Sequence, residues 1–163
     1  QCTGDKEVLK KVRDTLMAAK PNWMSMEYST IEPMAKGDFL ATSDWNGSVF
    51  RQRLQNPDIK YGYPKEGTVI WSDTLIILKD AKNVENAKLF MNFMMEPESA
   101  GMLSTFARYA NGIKGSEAFM PADMKDAPEI NIPASMEGAT DYSVACPPDV
   151  QEMYTKIWTE MLK

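Results

Sequence analysis

Residues 62–78 constrain the fold more than any other stretch of the chain. They open with turn chemistry: Pro64, the charged pair Lys65-Glu66, and Gly67, which is free to take positive φ. Thr68-Val69-Ile70-Trp71 and the residues through Leu78 follow, rich in β-branched and aromatic side chains, and predict a strand. In a strand, residues at i and i+2 share a face, so Trp71 and Asp73 are expected to point the same way. A large apolar plate beside a carboxylate suits an organic cation. The plainer alternative keeps Trp71 in the core, with Asp73 capping a turn or lying on an exposed strand edge, because a buried carboxylate without a partner is costly.

At 163 residues the chain can bury one sizeable core or two small lobes. With 44% hydrophobic and 25% charged residues it has the composition of an ordinary globular protein. The net charge of −5 argues against nucleic acid and anionic membrane surfaces as partners and favours cationic ones. No apolar run approaches a membrane span, and no signal-peptide pattern is present, as is also true of a mature exported protein. The sequence has no His, which removes the commonest general base and metal ligand. Cys2 and Cys146 cannot make a structural zinc site alone, which leaves a disulfide, favoured if the chain is exported, or two free thiols.

In chain order, residues 5–20 predict a helix with Val8, Val12, Leu16 and Ala19 on its apolar stripe, ended by Pro21. A short helical piece at 32–36 is closed by Gly37. Residues 39–45 read as a strand leading into Asn46-Gly47-Ser48, a turn that starts a helix through Leu54. Residues 59–63 read as a further short strand. Helices are expected at 83–95, with Ala87, Phe90, Met91, Met94 and Met95 on the apolar face, and from 98 to 106. Residues 116–140 suggest short helices and loops. Pro147-Pro148 introduces a last helix whose stripe of Val150, Met153, Tyr154, Ile157, Trp158 and Met161 makes Trp158 an expected core residue. The order of elements is mixed α/β.

Catalytic motifs are missing. There is no phosphate-binding Gly-rich loop, no Gly-x-Ser-x-Gly elbow and no His to complete a nucleophile–base pair, so a non-enzymatic role is expected and no cofactor is implied. A carboxylate pair drawn from Asp44, Glu66 and Asp73 is the only enzymatic route left. The aromatics say more. Trp45 stands before a helix start, Trp71 in a strand, and Tyr109 at a helix end beside Asn111-Gly112. These are the places where α/β folds hold ligands, and aromatic faces attract ammonium groups. For any one Trp alone, core packing is the better explanation.

Several ordered blocks then resemble one family. Ser43-Asp44-Trp45-Asn46-Gly47-Ser48-Val49-Phe50, Tyr63-Pro64-Lys65-Glu66-Gly67, Ile70-Trp71-Ser72-Asp73-Thr74-Leu75, Asp80-Ala81-Lys82-Asn83 and residues 90–98 together resemble the C-terminal part of bacterial periplasmic spermidine/putrescine-binding proteins, the solute receptors of ABC-type polyamine importers. The resemblance implies a two-lobed, periplasmic-binding-protein-like α/β fold that clamps a polyamine between its lobes and presents it to a membrane permease. It implies that Trp45 and Trp71 sandwich the methylene chain, that Asp73 binds an amino group and that Tyr109 lines the pocket. Ser48 stands where some relatives carry an acidic ligand residue. Cys146-Pro147-Pro148 replaces a polar ligand contact, and Asp44 is an extra acid where relatives are often apolar, which implies an altered ligand preference. Family members are much longer, so the resemblance further implies a fragment, with residues 1–71 and 118–163 in one lobe and 72–117 in the other. The alternatives are another small amine or organic solute as ligand, or a lobe-derived interaction domain.

Overall fold

A computed structural model describes residues 2–136 and 138–163. Glu137, inside the stretch expected to form short helices and loops, lies outside the described residues. The described residues form six α-helices, isolated 3-10 turns and two short strands: α1 (Lys6–Ala19), α2 (Ile31–Lys36), α3 (Asn46–Gln55), β1 (Thr68–Ile70), α4 (Val84–Met94), α5 (Pro97–Ala107), β2 (Thr140–Tyr142) and α6 (Pro148–Met161). All four long helices expected from periodicity are present. The Asp5 carboxylate caps α1 by accepting from the Glu7 and Val8 N–H groups, and Gly37 closes α2 in the left-handed conformation at φ 83.

The strands depart from expectation. Residues 39–45 and 59–63 are not strands, and the stretch after Gly67 is a strand only through Ile70. A strand exists by its ladder, and among the described residues only β1 and β2 pair. The Thr68 N–H donates to the Ala139 carbonyl at 3.0 Å and the Ser143 N–H to the Ile70 carbonyl at 3.4 Å. These bonds advance together along both segments, so the pairing is parallel.

The described residues divide into two compact units. The first comprises residues up to Tyr28, Val69–Trp71 and Asp141–Lys163, and so contains α1 and α6. Leu9, Val150 and Met161 are its buried apolar residues. A Cys2–Cys146 disulfide ties the chain ahead of α1 to the chain ahead of α6. Nearby, the Tyr154 hydroxyl accepts from the Thr3 N–H at 2.9 Å and donates to the Thr3 carbonyl at 3.1 Å. The Arg13 guanidinium grips Glu160 through both Nε, at 2.7 Å from Oε2, and Nη2. Trp158 is 54% exposed, contrary to the core position expected of it. The stripe has the right period, with Val150 and Met161 buried and Met153, Tyr154 and Ile157 half-buried, but Trp158 itself is not covered.

The second unit comprises Ser29–Thr68 and Ser72–Thr140. Phe50, Met124 and Ala127 form its core, with Met120 and Ile130 packed on them. Two guanidinium groups lie over the Phe50 ring, Arg53 at 4.7 Å and Arg108 at 5.2 Å from its centroid. α2 packs on α3, and α5 packs on the 3-10 turn Ser116–Phe119, with Gly101 at the contact. α4 buries none of its residues fully: of the expected face Ala87, Met91 and Met94 are half-buried and Phe90 and Met95 exposed, and Leu89 and Phe93 are exposed beside them, as are Met102, Leu103 and Phe106 on α5. The lobe borders implied by the resemblance concern a two-lobed whole and stay a proposal.

Candidate functional site

The first turn of α3 carries two of the expected site residues. Trp45 is its N-cap residue, in extended conformation, with a carbonyl that accepts the first helical bond from the Val49 N–H at 3.0 Å. The residue is 46% exposed. Ser48 is buried in the same turn, and its hydroxyl accepts from Arg51 at 3.4 Å. Asn46-Gly47-Ser48, read from sequence as a turn, is already helical.

The start of α3 is held firmly. The Asn46 side-chain amide donates to the Glu129 backbone carbonyl at 2.9 Å. At the other end of the helix, Arg53 donates to both carboxylate oxygens of Glu129, at 2.6 and 3.0 Å. The Glu129 side chain is 0% exposed, and this pairing supplies the countercharge that a buried carboxylate requires.

Tyr109 reaches the same place from α5. Arg108 caps α5 in the left-handed conformation at φ 62, a costly state for a residue with a side chain, and its guanidinium is held by both oxygens of Asp123 at 3.1 Å. On the other side, the Asn111 amide donates to the Ser104 hydroxyl at 2.7 Å and its carbonyl accepts from Ile113 N–H and the Ser116 hydroxyl. Fixed between these anchors, the Tyr109 ring lies against Gly47: a Cβ at Gly47 would fall 2.5 Å from Tyr109 Cε2. Trp45, Ser48 and Tyr109 are therefore assembled around one helix start. Tyr61, edge-on to Tyr63 with ring centroids 5.0 Å apart, lies within electrostatic reach of Tyr109 and had no signal in the sequence. Burial, then the neighbouring Tyr63, Glu129 and Tyr109, hold its phenol above the ordinary value of 10.0.

Asp73 is exposed, on chain that continues past β1 without a ladder partner. The shared strand face that was expected to align it with Trp71 is therefore not formed as β-structure. Trp71 follows β1 directly and is exposed rather than core. The extra acid Asp44 turns inward, onto Thr30, Gln52 and the Trp45 N–H. A shallow hollow along α1, lined by Glu7, Lys10, Lys11, Asp14, Thr15 and Ala18, draws on one helix only, so nothing converges on it. Among the described residues no three His, Cys, Asp or Glu side chains come together as a metal site, and no helix is long and apolar enough to cross a membrane.

The sequence model of the bacterial extracellular solute-binding proteins matches residues 3–132, most of the chain. The chain belongs to that family. Among the curated solute-binding relatives, the putrescine-binding periplasmic protein PotF of Escherichia coli strain K12 is 26% identical over 157 residues, which cover 91% of this chain and 42% of the relative. A spermidine/putrescine-binding periplasmic protein of Haemophilus influenzae is 28% identical over 129 residues, covering 78% of this chain and 36% of the relative. Another spermidine/putrescine-binding periplasmic protein, from Escherichia coli strain K12, is 30% identical over 108 residues, covering 66% of this chain and 31% of the relative. The chain thus spans less than half the length of the solute-binding relatives it matches. The family and these relatives are solute-binding proteins, not enzymes.

Proposed function

We propose that this chain is part of a periplasmic solute receptor of an ABC importer, and that the receptor captures a polyamine of the putrescine or spermidine type. The observation that carries the reading is the packing of Tyr109 on Gly47, which sets a phenol ring beside Trp45 and Ser48 at the start of α3. Aromatic faces attract ammonium groups by about 0.5–2 kcal/mol and give methylene chains an apolar contact. Three relatives named for putrescine or spermidine support the choice of ligand.

In this reading Trp45 and Trp71 are the plates, Asp73 pairs with an amino group, and Tyr109 and Ser48 line the pocket. Two lobes, one formed by residues 1–71 and 118–163 and the other receiving 72–117, close around the cation, and closure is what a membrane permease recognises. The apolar residues that α4 and α5 leave exposed are the surface that the rest of such a fold would cover.

The test is an intrinsic Trp fluorescence titration of the complete reading frame with putrescine, spermidine, a neutral amino acid and a sugar. A saturable response to the amines alone is expected, weakened about tenfold or more by Asp73→Asn, on the scale of a hydrogen bond to a charged group. A folded protein that answers to none of the amines would overturn the assignment.

A further inference from the structure

Asp44 is the acid that stands beside a proposed ligand plate, and an extra carboxylate there invites the idea that it meets the amine itself. Its surroundings say otherwise. Oδ1 accepts from the Trp45 N–H at 2.7 Å. Oδ2 accepts from the Gln52 side-chain amide at 2.7 Å and from the Thr30 hydroxyl. Gln52 is 0% exposed and Thr30 is buried, so two of the donors reach the carboxylate from inside the unit. The N-cap side chain of α3 is an indole, which cannot accept from the helix's first N–H groups, and no side chain caps the helix. Asp44, one residue earlier, accepts from the N-cap residue's own N–H and is itself fastened to α3 at Gln52.

We propose that Asp44 is a positioning residue: bound to Thr30 and Gln52 on one oxygen and to the Trp45 backbone on the other, it fixes the orientation of the Trp45 ring and gives no charge to the ligand. The chain entering α3 cannot turn about Trp45 without breaking the Oδ1 bond, and the carboxylate cannot follow without leaving Gln52. The buried Gln52 Oε1 has no hydrogen-bond partner among the described residues. This gives the proposal a distinctive consequence. In Asp44→Asn the amide oxygen can still accept from Trp45, and a half-turn of the Gln52 amide brings Oε1 round to accept from the new N–H group. The neutral variant can therefore keep the ties of residue 44 to Trp45 and Gln52, with Thr30 accepting where it now donates and the Gln52 NH2 group moved to the place where Oε1 had no partner, whereas Asp44→Ala keeps none of them.

The ligand part of this inference rests on the proposed reading of Trp45 as a plate, and the experiment separates the two. The complete reading frame is labelled with 5-fluorotryptophan, and the Trp45 resonance is assigned as the one missing from Trp45→Phe. Without any amine, Asp44→Ala and Gln52→Leu are expected to shift or broaden that resonance, and Asp44→Asn to leave it in place. With putrescine, Asp44→Ala is expected to weaken binding about tenfold, the loss of one hydrogen bond's worth of order, and Asp44→Asn to stay within about threefold of the parent. If Asp44→Ala does not fold, Asp44→Asn and Gln52→Leu decide. An unmoved Trp45 resonance in Gln52→Leu overturns the proposal, as does an Asp44→Asn variant that loses affinity while its Trp45 resonance stays put. Unchanged putrescine binding in Trp45→Phe and Trp45→Ala would instead overturn the plate, while the amine-free spectra still decide the role of Asp44.

Discussion

The edge of the Tyr109 ring lies over Gly47, close enough that a Cβ there would meet Cε2, Cζ and Cδ2 at 2.5, 2.6 and 2.7 Å. An ordinary helical Gly→Ala change gains up to about 1 kcal/mol. Here Gly47→Ala is expected to reverse that sign and cost about 1–3 kcal/mol, because Arg108 and Asn111 on either side of Tyr109 are tied down and limit how far the ring can step away. Urea unfolding measures the sign, and the same variant should weaken amine binding through the displaced ring.

Glu129 makes a second sign test. Its buried carboxylate is satisfied by Arg53. Arg53→Met is expected to cost about 3–5 kcal/mol, since it strands that charge. Adding Glu129→Leu to the same protein should recover most of the loss. Unfolding free energies of the single and double variants read it directly.

On α6, size and burial predict opposite orders. Met161 is 2% exposed and Trp158 is mostly in solvent. Met161→Ala is expected to cost about 2–5 kcal/mol. Trp158→Ala should cost about 1 kcal/mol although it removes far more atoms. Chemical denaturation of the two variants ranks them.

The Arg13–Glu160 pair predicts a pH dependence. The hydrogen bond from Arg13 holds the Glu160 carboxyl below its ordinary value of 4.5. A group whose folded-state pKa is lowered contributes stability above its ordinary value and loses that contribution as the pH falls through the folded one. Glu160→Gln should therefore lower the melting temperature at neutral pH, by a few degrees at most for so exposed a pair. The gap should close as the pH falls below 4.5 and through the lowered folded-state value. Melting curves from neutral to acid pH test it.

Helices were legible because their signal is local. The stripes of α1, α4 and α6 recur every three to four residues, and Gly37 and Pro148 mark ends that the backbone respects. Residues 68–78 have the composition of a strand, but a strand also needs a neighbour, and no window of sequence contains one. β2 is the reverse case: Thr140–Tyr142 has no strand pattern and pairs because β1 lies alongside. Period also gives the direction of a helical face without saying how much of it is covered, which is why Trp158 and Phe90 are exposed.

The site divides in the same way. Ser48 entered only through the family resemblance, whereas Trp45 stood out as an aromatic at a helix start and Tyr109 as one at a helix end. Its contact with Gly47, the tie of Thr30 to Asp44 across 14 residues, and that of Arg53 to Glu129 across 76 are products of the folded chain. No spacing rule reports them.

The Cys2–Cys146 bond has a consequence of another kind. It closes a covalent ring across a sequence separation of 144, and every element from α1 to β2 lies inside that ring. A protease that cuts an exposed segment such as residues 71–76 would open the ring without releasing a piece. The two ends would stay on one molecule and could find each other again without diffusing apart. Such a nick would be silent on a non-reducing gel and would appear as two bands only after a thiol is added.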